Sequence, residues 1–153
     1  MNSRLLQKNN SSGITVYIAV TITAALILVS VSILNLALKQ INISGAGRDS
    51  QNAFYAADSG AECALFWDVR NPMATSSAFD ALSTQNIECN STSIPVTHTA
   101  NISTFTMNFT PGTHCAKVTV TKNAGATKIE SRGYNTCDTT SNRRLERAIE
   151  INY

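Results

Sequence analysis

No charged side chain stands between Lys8 and Lys39 in this chain of 153 residues. A helix over that interval has no charged face to turn to water, which excludes an ordinary surface helix of a soluble fold. An excess of positive charge is also missing from the rest. From Lys39 onward ten Lys/Arg stand against ten Asp/Glu, so there is no clear nucleic-acid site. The sequence has no C-x-x-C, and its two histidines, His98 and His114, are not clustered, which argues against a zinc site. G-x-S-x-G, H-E-x-x-H and a Gly-rich phosphate loop are absent too, so neither catalysis nor a cofactor is expected. Asp58 and Glu62, four apart on one helical face, read as an acidic edge that meets Arg70 or a neighbouring chain, not as a catalytic pair.

What is present is a near-continuous apolar run over residues 14–38, 25 positions long. About 20 helical residues cross a hydrocarbon core of roughly 30 Å, so this run suffices to span a membrane. Thr15, Thr21, Thr23, Ser30 and Ser32 interrupt it. Their hydroxyls can bond back to helix carbonyls, which makes them tolerable in lipid. The run is too long for the core of a cleaved secretory signal, and further apolar residues follow Ser30 and Ser32, so the segment is expected to be retained. A short basic stretch with Arg4 and Lys8 precedes it and ends at Gly13.

The helical pattern continues past Lys39 as an Ala-rich stretch to residue 69. Gly45 and Gly47 make one soft place, each weakening a helix by up to about 1 kcal/mol relative to Ala. Beyond them Ala53, Ala57, Gly60 (or Ala61) and Ala64 recur at spacings of three and four. That stripe of small residues would let another element approach the helix closely, with Phe54 and Leu65 filling its flanks. Pro72 ends the helix.

About 84 residues remain, a unit that buries only a modest core and benefits from a covalent staple. The cysteines, Cys63, Cys89, Cys115 and Cys137, are even in number, which suits disulfides in an exported head. Three pairings are possible; neighbours in sequence, Cys63–Cys89 and Cys115–Cys137, are the expected one, with four free thiols the alternative. Residues 73–98 read as loop, with a helical turn near Phe79. Alternating patterns follow over 104–109, 115–121, 127–134 and 144–152, which predicts four antiparallel strands with one face on the small-residue stripe. Arg143, Arg144 and Arg147 form a basic cluster read as a solvated strand end. The expected architecture is α+β: a long N-terminal hydrophobic helix with a small four-stranded antiparallel head packed on its C-terminal half. Its segments are a leader (1–13), a membrane half of the helix (14–38), an amphipathic half (39–69) and a disulfide-stapled β head (70–153).

Gly13 followed by the apolar helix, then Asn52-Ala-Phe-Tyr-Ala-Ala-Asp-Ser-Gly-Ala-Glu-Cys-Ala-Leu65, resembles the N-terminal module of type IV pilin-like proteins, above all PilX-type minor pilins. The resemblance covers roughly residues 11–68. It implies cleavage after Gly13 by a prepilin peptidase and N-methylation of Ile14. The subunit would wait in the cytoplasmic membrane, engage an inner-membrane assembly platform and join other pilin subunits in an extracellular filament. Ile14 stands where most major pilins carry Phe, and Ile18 where they carry a Glu that pairs with a neighbour's amino terminus; an apolar residue there is frequent in the minor group. A single-pass anchored binding or sensor domain and a secretion-system pseudopilin are the alternatives.

Overall fold

A computed structural model of the chain describes residues 12–80, 83 and 86–153; most of the expected leader therefore lies outside the described residues. One helix, α1, spans Ser12–Val69. It is followed by β1 (Ile87–Cys89), β2 (Thr92–Ile94), β3 (Thr97–Thr99), β4 (Ile102–Asn108), β5 (Cys115–Asn123), β6 (Ala126–Tyr134) and β7 (Glu146–Asn152). The chain divides into two compact units between Ser44 and Gly45.

In the first unit the apolar residues are exposed on every side, from Ile14 (66%) through Leu28 (70%) to Ile43 (72%). No described residue buries them, and the helix is long and apolar enough to cross a membrane. The hydroxyls expected to turn inward do so. Thr21 donates to the Ile18 carbonyl, Thr23 to Ala19, Ser30 to Leu26 and Ser32 to Leu28, all at 2.8–2.9 Å. Each such bond hides a donor that lipid could not satisfy. Helical geometry continues through Gly45 and Gly47 without a break, so the softness expected there does not interrupt the element.

The second unit corrects the expected strand count. Its main sheet has five antiparallel strands in the order β3-β4-β5-β6-β7, and β1 and β2 form a separate two-stranded hairpin. The four expected strands correspond to β4 to β7. The additional three lie in the stretch read as loop, which holds turns but no helix at Ala78 and Phe79.

Alternation does what period two requires. Across the sheet Ser103, Val120, Ile129 and Ile151 share one row. Phe105, Val118, Ser131 and Ile149 form the next, and Met107, Ala116, Gly133 and Arg147 the third. Ser103, Phe105, Met107, Ala116, Val118, Val120, Ile129 and Ser131 on this face are all buried. Most of the sheet's charges lie on the other face, with Lys128 pairing to Glu150 at 2.9 Å and Arg132 to Glu146 at 3.4 Å. Surface pairs of this kind contribute little; the buried rows hold the sheet to the helix.

Candidate functional site

Ala53, Ala57 and Ala64 are buried, as are Gly60 and Ala61, and they meet the inner face of the sheet. The fit is reciprocal. A Cβ on Gly60 would stand 2.5 Å from Ser131 Oγ and 2.8 Å from Val118 Cγ2, and a Cβ on Gly133 would overlap the backbone of Ala53 and Ala57. Small residues on both partners thus set the approach of helix to sheet. The strand side of this seam (Ala116, Ser131, Gly133) was not read from the sequence. Its signal is the pair of small residues at alternate positions, Ser131 and Gly133, on the strand face that also carries Ile129.

Phe54 and Leu65 do not fill the flanks of the stripe. They point outward with Tyr55, Phe66 and Val69, all more than a third exposed. The large residue on the seam is Trp67, 2% exposed, whose indole N–H donates to the Glu88 carbonyl at 3.0 Å. One more step of the same spacing, from Ala64 to Trp67, would have found it. Asp58 makes no ion pair with Arg70 among the described residues.

The cysteines lie in two pairs. Cys63 on α1 is beside Cys89 at the end of β1, with Cα atoms 6.1 Å apart. Cys115 at the start of β5 is beside Cys137, beyond β6, at 5.6 Å. Both separations fall in the range a disulfide requires. The first pair ties the helix to the small hairpin, and the second closes the β5–β6 hairpin at its open end. Replacing Cys115 with Ser should cost the head about 2–4 kcal/mol. Thermal unfolding with and without reductant checks this: unchanged melting in reductant would mean the thiols are not bonded.

At the helix end Asp68 gathers three partners. Its side chain is 3% exposed and lies 2.6 Å from Lys122 Nζ on β5. The hydroxyl of Ser77 and the phenol of Tyr153 both donate to it. Burial alone would raise the carboxyl's pKa; hydrogen bonds from Lys122, Ser77 and Tyr153, together with the ammonium charge, outweigh it and hold the group below its ordinary value. The Tyr153 phenol is pushed up, by burial and by its bond to Asp68. A carboxyl depressed in the folded state stabilises it above the unfolded pKa of about 3.9, and that contribution is lost as pH falls through the folded value. Acidification below about pH 4 should therefore lower the melting temperature of the native chain more steeply than that of Asp68→Asn. Parallel acid limbs in the two proteins would remove Asp68 from the account.

Gly13 and Ile14 lie in the first turns of α1, and both are exposed. The basic cluster is folded against the start of the second unit, where Arg147 Nε donates to Ser50 Oγ at 2.9 Å. Comparison of the chain with models of protein families, with curated proteins and with solved structures finds no match.

Proposed function

We propose that this chain is a structural subunit, a pilin or minor pilin, of a type IV pilus-like surface filament. In this reading a prepilin peptidase cuts after Gly13, Ile14 becomes the methylated amino terminus, and the subunit waits in the cytoplasmic membrane before the assembly platform draws it into the filament. It works by packing and not by catalysis.

The observation that carries the reading is the extent of uncovered apolar surface. A lipid anchor needs about 20 residues. Exposed apolar side chains continue beyond that length through Ile41 and Ile43, and resume in the head unit at Phe54, Tyr55, Leu65, Phe66 and Val69. The head turns its other helix face to the sheet, and this row stays more than a third exposed among the described residues. Copies of the same helix can take the place of lipid around the first unit and cover the row in the second, because close van der Waals packing substitutes for the bilayer at little cost. A simple anchored sensor leaves that row in water without a role.

Mass spectrometry of the protein isolated from cells tests the proposal. The native chain should begin at a methylated Ile14, and Gly13→Val should retain the full leader and fail to appear in sheared surface filaments. A native chain that begins at Met1, or a Gly13→Val protein of mature mass, would remove the prepilin reading.

A further inference from the structure

A cleft of about 340 Å³ opens in the head unit between α1, the β1–β2 hairpin and the end of β4. Among the described residues its walls carry two carboxylates, Glu62 and Glu88, and no Lys, Arg or His. Both carboxylates are exposed. Neither has an ion pair or a side-chain hydrogen bond among the described residues. Each precedes a cysteine. The Cys63–Cys89 pair, with Cα atoms 6.1 Å apart, therefore brings a helix carboxylate and a hairpin carboxylate to one opening.

Much of the remaining wall is apolar, from Phe66, Trp67, Met107 and Phe109. The rings are fixed before anything binds. Trp67 is buried and held by its bond to the Glu88 carbonyl at 3.0 Å. Phe66 meets it edge-on, with ring centres 6.0 Å apart and planes at 87°. Phe109 stacks on His114 at 5.1 Å. Phe66 is exposed and Phe109 half-buried, so both keep ring surface open to a ligand.

Two negative charges beside aromatic walls define the occupant. An anion is repelled. A metal ion finds only two carboxylates, and no group of three or more His, Cys, Asp or Glu among the described residues is placed to hold one. A monoamine neutralises one carboxylate and leaves the other. A dication with an apolar stem matches the whole lining. Each ammonium donates charge-assisted hydrogen bonds to a carboxylate. The methylenes cover the rings, whose faces also attract cations. The volume lies at the small end of ligand sites, which suits a short molecule and not a polypeptide segment. We propose that this cleft binds a short aliphatic diamine, one ammonium on Glu62 and the other on Glu88, with the methylene chain across Phe66 and Phe109. The site lies wholly within the second unit and does not depend on filament assembly. Phe66 also belongs to the row assigned to neighbouring copies, so the diamine binds the unassembled subunit.

The test titrates the full chain, in a non-ionic detergent, with cadaverine and with pentylamine by calorimetry. The diamine should bind about tenfold tighter or more, because one charge-assisted pair separates the two ligands. Glu62→Gln and Glu88→Gln should each bring cadaverine down to the affinity of pentylamine. Glu150→Gln, outside the cleft, should leave it unchanged and so controls for a general attraction of cations to the surface. The two cleft variants replace exposed side chains, and unfolding followed by Trp67 fluorescence checks that they fold as the native chain does. Absent or equal binding of the two amines by the native chain would overturn the proposal without touching the pilin reading. So would cadaverine binding that survives in both cleft variants. Binding of calcium without binding of cadaverine would overturn it in favour of a metal site.

Discussion

Gly133→Ala is expected to destabilise the head by about 3 kcal/mol or more, the upper end of what one extra carbon costs a packed core. The new Cβ would coincide with the backbone of Ala53 and Ala57. A side-chain neighbour could rotate away; backbone of a helix cannot. The sheet must then lift off the helix along the row Met107, Ala116, Gly133 and Arg147, which loosens its grip on every small residue of the stripe. For a unit of this size the loss corresponds to a melting temperature lower by roughly 10–20 °C. Gly47→Ala supplies the control. Nothing stands within 4 Å of the position, and its helical conformation suits Ala better, so that change should be neutral or stabilising by up to about 1 kcal/mol. Denaturant unfolding of both variants in detergent checks the pair. Equal stabilities would mean that the seam is looser than its geometry states.

The helix and the head differ in how plainly the chain announces them. The 25 uncharged positions after Gly13 have one physical solution, because nothing but a helix satisfies its own backbone in an apolar setting. The spacing of Ala53, Ala57, Gly60 and Ala64 likewise names its buried face, since burial of small residues at three- and four-residue intervals needs a close neighbour. The assignment failed at Phe54 and Leu65, where size suggested burial. Their side chains lie off the axis of the stripe, and side-chain direction around a helix, not bulk, decides what faces the sheet.

The longer strands, β4 to β7, were legible by alternation over seven to nine residues, and a glycine marked one of their hairpins. The β5–β6 turn has Gly125 at φ 88°, the left-handed conformation that glycine adopts at no steric cost. β1, β2 and β3 were missed because their turns lack that mark. Asn90 and Ser91 connect β1 to β2 with φ of 51° and 57°, and Ala100 opens the β3–β4 turn at 53°. Positive φ at both central residues is what a tight two-residue hairpin demands, yet an Asn-Ser pair in a Thr- and Ser-rich stretch looks like loop. Three-residue strands also offer too few positions for alternation to show. The Asp68 cluster was beyond reach for another reason: its members are separated by up to 85 positions along the chain, and no local pattern links Ser77, Lys122 and Tyr153.

Trp67→Ala should rival Gly133→Ala, at about 3–5 kcal/mol, the range for deleting a large buried aromatic side chain. Two losses combine in that figure. One is the volume of the indole at the seam between α1, Ile87 of the small hairpin and the sheet. The other is the bond to the Glu88 carbonyl, which in the variant is left without its donor. Trp67→Phe separates them. It keeps most of the apolar volume and removes the N–H, so it should cost only about 1–2 kcal/mol. Phe66→Ala, at a neighbouring residue 48% exposed, should fall within about 0.5 kcal/mol of the native chain, as surface changes do. The hairpin that accepts the indole bond is also tied to the helix by Cys63 and Cys89, next to Glu88. Two devices thus fix one joint, and their effects should not add. With Cys63 and Cys89 both replaced by Ser, Trp67→Phe should cost less than it does in the bonded protein, because the hairpin is already free to leave. Trp67 is the sole tryptophan, so its fluorescence reports unfolding of the native and Cys63→Ser/Cys89→Ser chains, and circular dichroism follows the Trp67 variants. Strict additivity across this cycle would show that the indole and the sulfur pair hold the hairpin independently.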